Sequence, residues 1–235
     1  PKDFKGKWPG RKAGNYQWYE IQDTVAYYKK FEEPKIIVPA IANRASYCFD
    51  NAGNYSNDKT SIISTDDLAL LGILNSKLVD FYLKQIASTK QNDYFEYKPM
   101  YIEQLPITDF KDKKTRSEFE SLVSEIIEIT SKLQSTRQTF LDYCRHALGV
   151  EKLPKKLETP ERLDLDTLLA ELKKRKVDTR DASVFASLRD FHDRLTRLAE
   201  TIRTLDGRID REVYALYGLS PEEIALVEKS GQNAL

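Results

Sequence analysis

Side chains able to read a polar surface are concentrated in one run, Ser88-Thr89-Lys90-Gln91-Asn92-Asp93, which offers donors and acceptors in close succession. Arg and Lys pair with guanine edges in the major groove, and Asn and Gln pair with adenine edges. Ser88, Thr89, Lys90, Gln91 and Asn92 therefore have the types a base-reading loop requires. Asn43, Arg44, Asn54, Ser56, Asn57 and Lys59, near the ends of short extended segments, have the same character. Lys5, Lys7, Arg11, Lys12, Lys35 and Lys98 are candidate clamps for phosphate groups, contacts that position a duplex without specifying its sequence. In the first fifteen residues Lys5, Lys7, Arg11 and Lys12 surround Trp8, a pattern that suits a groove and equally suits a frayed terminus. Each of these side chains taken alone is simplest as a solvated loop position; the case rests on their grouping.

Catalytic chemistry is not written in the chain. Methyl transfer to an amino nitrogen uses an Asp/Asn-Pro-Pro-Tyr/Phe loop and a Gly-rich loop for the methyl donor, and neither occurs. A metal-dependent nuclease needs clustered acids with a Lys, commonly introduced by Pro-Asp, and no such dipeptide occurs. HExxH, GxSxG and GxxxxGK[ST] are absent as well. Cys48 and Cys144 have no Cys or His at ligand spacing and are expected to be two buried thiols in a reducing cytoplasm. His146 stands two residues from Cys144 with no acid to complete a triad. Both His146 and His192 fall on helical patterns, as structural or solvent-facing residues.

The elements that must position these residues follow from periodicity. Tyr16 to Ile21, Lys35 to Val38, Ser46 to Asp50 and Thr60 to Ile63 read as short strands, with a turn at Asn51 to Asn54. Leu68, Leu71, Leu74, Leu78 and Phe81 then recur every three or four residues, an amphipathic helix that ends near Ile86 and opens with Ser64 or Thr65 as cap. Short strands followed by one buried helix indicate an α+β domain over 1–110, closed by the linker Lys111 to Lys114.

Residues 111–235 read as helical. Phe119, Leu122, Ile126, Ile129, Leu133, Thr136, Phe140 and Tyr143 make one heptad seam. A short helix follows through Leu165, Leu168, Leu169 and Leu172. Leu188, Phe191, Leu195, Leu198, Ile202, Leu205 and Ile209 make a second seam. Seams of about 40 Å each are most simply paired antiparallel, as a coiled-coil-like spacer. Gly218 ends the second helix, and Ser220-Pro221-Glu222-Glu223 restarts one through a capping box. Lys173-Lys174-Arg175-Lys176 is a charge run at a helix end; a solvated role complementing the dipole is preferred over contact with a nucleic-acid backbone.

LGILNSKLVDFYLKQIAS followed by YFEYKPMYIEQLPI resembles the TaqI-like C-terminal specificity domain of DNA adenine methyltransferases and restriction-modification enzymes. WYEIQ, KIIVPAIANRASYCFD and GNYSNDKTSIIS resemble the same domain, and IDREVYALYGLSPEEIALVE resembles the way such chains end. The resemblance spans roughly residues 14–110 and 205–228. It implies sequence-specific recognition of double-stranded DNA. It implies too that an N-terminal methyltransferase part, outside this chain, binds S-adenosylmethionine and modifies adenine, with or without a Mg2+-dependent nuclease. Within it the aromatic segment is largely scaffold, which assigns Phe95 and Tyr101 to the core; Tyr94 stays open between packing and stacking on a nucleotide.

Overall charge argues mildly against DNA. The chain carries 37 Lys+Arg against 37 Asp+Glu, where a nucleic-acid binder usually shows a basic excess. Only residues 1–44 lean basic, with nine cations against five anions. No run of eighteen apolar residues suggests a membrane span. The chain begins at Pro1 and its only Met is Met100, which reads as a piece of a longer polypeptide. Two rivals stand beside this reading: a helical protein-interaction or dimerisation module that never touches DNA, which balanced charge favours, and an anti-restriction or DNA-defence component that keeps the domain but has lost methylation.

Overall fold

A computed structural model of the chain describes residues 14, 16–17, 19–21 and 26–232. Lys-Ile-Ile-Val-Pro alternates so that Ile36 and Val38 enter the core, and it forms β1 (Lys35–Pro39). After Ala40 the chain continues as β2 (Ile41–Ala42), turns, and returns as β3 (Cys48–Asp50). Gly53, at φ 73, supplies the left-handed residue of the following turn. β4 (Thr60–Ser64) then lies on the other side of β1, giving an antiparallel sheet of order β3-β1-β4. Ala40 links this sheet to the next: its N–H donates to Lys59 O at 2.8 Å, and its carbonyl accepts from Tyr97 N at 3.0 Å. The described residues between 16 and 21 form no strand; Glu20 N donates to Gln17 O at 3.0 Å, a turn. A 3-10 turn at Ala26–Phe31 was not expected from the sequence.

The expected single helix is two. α1 (Leu68–Asn75) is apolar nearly all round and buries Ala69, Leu71, Gly72, Ile73 and Leu74. α2 (Lys77–Ile86) is amphipathic and buries Val79 and Leu83. Ser76 separates them with extended backbone (φ -68, ψ 152); its hydroxyl donates to Ile73 O at 2.7 Å and accepts from Val79 N at 3.3 Å. A residue that can end one helix and cap the next stops the leucine pattern from continuing straight. The cap of α1 is Asp67, which accepts from Leu70 N at 3.0 Å, in place of Ser64 or Thr65. Asp67 also pairs with Arg116 at 2.8 Å.

β5 (Phe95–Glu96) and α3 (Pro99–Ile102) complete the first half, and α4 (Lys113–Asp142) starts the second. A π turn over Tyr143–Ala147 ends α4, and Gly149 reverses the chain at φ 67. α5 (Leu165–Lys173) precedes α6 (Ala182–Tyr217), which stops at left-handed Gly218. α7 (Pro221–Gln232) opens with the expected capping box, Ser220 N on Glu223 Oε2 at 2.8 Å and Glu223 N on Ser220 Oγ at 3.3 Å. The architecture is α+β.

α4 and α6 lie antiparallel. Phe119 and Val123 share one core with Ile209 and Val213, while Phe140 and Cys144 share another with Leu188, Phe191 and Leu195. The two seams thus bury each other within one chain. Val123, outside the seven-residue pattern, is among the most buried residues of α4 because α1 also presses there. The first core also contains the strands, α1 and α2, so the ends of the long helices are built into the α+β layer. Lys77 adds a polar joint: its N–H donates to Asp210 at 2.9 Å, and its ammonium meets Glu228 at 2.8 Å. Among the described residues no helix is long and apolar enough to cross a membrane. Cys144 is buried as expected, but Cys48 is exposed because it lies on an outer strand of its sheet.

Candidate nucleic-acid interface

The polar run folds as the tip of a small hairpin. Thr89 bridges Phe95, Glu96 N donates to Ser88 O at 3.0 Å, and Lys90 N donates to Tyr94 O at 2.6 Å. Asn92 and Asp93 sit in the left-handed region at φ 59 and 56, where Asn and Asp are tolerated better than other residues with side chains. The tight reversal leaves Gln91, Asn92, Asp93 and Tyr94 exposed. On the opposite side of β5, Ala42 pairs with Phe95 in an antiparallel register, which carries Asn43 and Arg44 toward the same loop. Both are exposed.

Buried groups hold this surface. Asp80 of α2 accepts from Ala45 N at 2.7 Å and from the Tyr97 hydroxyl at 2.9 Å, and it pairs with Lys84 at 2.7 Å. Burial, then the Asp80 charge and hydrogen bond, push the Tyr97 phenol far up, so it remains a donor. Asn75 grips Tyr47 through both backbone groups, accepting from its N–H at 2.9 Å and donating to its carbonyl at 3.1 Å. The turn 43–47 is therefore pinned at two points by α1 and α2. Asp80 and Asn75 are not among the candidates drawn from the sequence. A polar residue ending an otherwise apolar helix was the available signal.

Lys90 and Lys98 both reach Glu96, at 2.7 and 2.8 Å, and Glu96 is 8 % exposed. Hydrogen bonds from Lys90 and then Lys98 hold the Glu96 carboxyl below its usual range. The two ammonium groups thus carry one net positive charge on the loop's flank. Tyr94 remains exposed, Phe95 is half-buried beneath Lys84, whose ammonium lies 5.7 Å from the ring centre, and Tyr101 donates to or accepts from Ser88 Oγ at 2.7 Å.

Other candidates disperse. Lys35 is fully buried, pairing with Asp50 and donating to Phe31 O, so it cannot clamp a phosphate. Burial tends to raise the Asp50 carboxyl, but Lys35 and the donors of Ala52 and Asn54 prevail and hold it at about 2. Asn54 is occupied in that network. Asn57 turns inward on its own loop, accepting from Lys59 N at 2.9 Å, and exposed Lys59 faces Asp58 at 3.3 Å. Lys5, Lys7, Trp8, Arg11 and Lys12 lie outside the described residues. Among the described residues no group of three or more His, Cys, Asp and Glu side chains is placed to hold a metal ion. His146 is exposed, and His192 Nε2 lies 3.0 Å from Leu163 O.

Residues 5–107 match the family model described as the TaqI-like C-terminal specificity domain. Residues 112–213, which carry the antiparallel helix pair, match a second family model, a domain of unknown function, DUF8810. The search of curated proteins returned no match.

Proposed function

We propose that the chain recognises double-stranded DNA by sequence, as the specificity region of a restriction-modification enzyme. The observation that carries this reading is the specificity-domain match over residues 5–107. The hairpin tip supports it: Gln91 and Asn92 stand clear of the core on a loop whose backbone is internally bonded. Bidentate Asn or Gln contacts to adenine discriminate by about 1–3 kcal/mol per base pair, provided the side chain arrives in a fixed orientation. Lys90, Lys98 and Arg44 would take the flanking phosphates, with Asn43, Thr89 and Tyr94 at the groove wall.

In this reading a methyltransferase part N-terminal to the chain binds S-adenosylmethionine and flips the target adenine out of the stack. A Mg2+-dependent nuclease would be a further part of the same enzyme. The helix pair is a rigid spacer that fixes the distance between base reading and catalysis.

The test is fluorescence anisotropy of a labelled mixed-sequence duplex across an ionic-strength series. Binding should weaken with salt by about 0.9 log units per log unit for each phosphate neutralised. Absence of binding at low salt would overturn the proposal.

A further inference from the structure

In the specificity domain the lysines are largely consumed by internal pairs: Lys35 with Asp50, Lys77 with Glu228, Lys84 with Asp80, and Lys90 and Lys98 with Glu96. The distal end of the helix pair is different. Lys152, Lys156 and Arg175 are exposed, and among the described residues no carboxylate lies within 4.0 Å of any of them. They come from separate segments. The π turn and left-handed Gly149 bring Lys152 beside Arg175, and the two line an open notch with the backbone of Gly149 and Val150 and with Glu151. Lys156, on the next 3-10 turn, joins Arg175 in acting on the Glu171 carboxylate, which Lys174 caps at 2.8 Å. Complementing the helix dipole accounts for Lys173 and Lys174 in the last turn of α5. It does not account for Lys152 and Lys156, which arrive from another part of the chain.

The spacing of this cluster is informative. Lys77, at the start of α2, donates its N–H to Asp210 of α6, whereas Leu188 of α6 lies in the distal core with Val150 and Leu172, which neighbour this cluster. At 1.5 Å per residue these positions are on the order of 30 Å apart. One turn of B-DNA is about 34 Å. We propose that Lys152, Lys156 and Arg175 form a second phosphate-binding site, which holds the backbone of the same duplex about one helical turn from the hairpin tip. The proposal rests on the reading that residues 5–107 bind duplex DNA.

The experiment uses the full chain, its Lys152→Ala/Lys156→Ala/Arg175→Ala variant, and hairpin duplexes of about 8 and 30 base pairs, the first shorter than one turn and the second nearly three turns long. All three positions are exposed, so the fold should be retained, and circular dichroism checks this. Wild type should bind the longer duplex more tightly with a steeper salt dependence. The variant should lose that increment, its log–log salt slope on the long duplex falling by about 2–3 at roughly 0.9 per phosphate. Its binding to the short duplex should be unchanged, and restoring Lys152 and Lys156 with Arg175→Lys should recover most of the loss. If variant and wild type share the same slope on the long duplex, the distal site is refuted while base reading stands. If wild type binds neither duplex, the DNA reading itself fails.

Discussion

Glu96 sits under two ammonium groups, and this single carboxylate sets how much positive charge the hairpin flank presents. Glu96→Gln should raise affinity for any duplex a few-fold at low salt, since both lysines become available to phosphates. Discrimination between sequences should fall, because Lys90 no longer braces the loop; competition between specific and mixed duplexes measures both. Lys35 behaves in the opposite way, as a charge withdrawn from solvent. Lys35→Met leaves Asp50 buried without its cation and should cost about 3 kcal/mol in denaturant unfolding at pH 7. The sign with pH follows from the depressed Asp50 carboxyl. Its stabilisation is complete above the unfolded value of about 3.9 and is lost as pH falls toward the folded value of about 2. The difference between wild type and variant should therefore close between about pH 4 and pH 2. Nothing in the order Lys-Ile-Ile-Val distinguishes a buried lysine from an exposed one at a strand start. Its partner lies fifteen residues on, across a pairing that only the folded sheet creates.

The strands at 35–38 and 60–63 and both long helices are legible because a hydrophobic period of two or three-and-a-half leaves few alternatives. What periodicity hides is the break at Ser76, where Leu74 and Leu78 keep the helical spacing across a non-helical residue. β2 and β5, two residues each, are too short to show any period. Close approach is another feature a pattern cannot display. A Cβ on Gly72 would meet Val123 Cγ2 at 2.6 Å and the Phe119 ring at 2.7 Å, both on buried side chains. Gly72→Ala should therefore cost about 1–3 kcal/mol, offsetting any gain in helix propensity, by forcing α1 away from α4. Thermal unfolding checks the loss, and Gly207→Ala, which meets nothing within 4 Å, is the control that should not destabilise.

Across the whole molecule, the ends of α4 and α6 share a core with the sheets, α1 and α2, and a second core closes their far end. Packing at both ends favours a stiff connection over a hinged one, which is what the proposed spacer role requires. The seams that could have paired between chains are buried against each other, so the chain should stay monomeric as concentration rises in sedimentation or gel filtration. Balanced overall charge hides any local excess of cations, since which lysines share a carboxylate, as Lys90 and Lys98 share Glu96, is set only by the fold. Sequence reading by residues 5–107 is best probed by incubating the chain with a random-sequence duplex pool at two salt concentrations and sequencing what is retained. One enriched motif is expected, sharper at the higher salt, where backbone-only complexes dissociate first. A retained pool with the same composition as the input would contradict it.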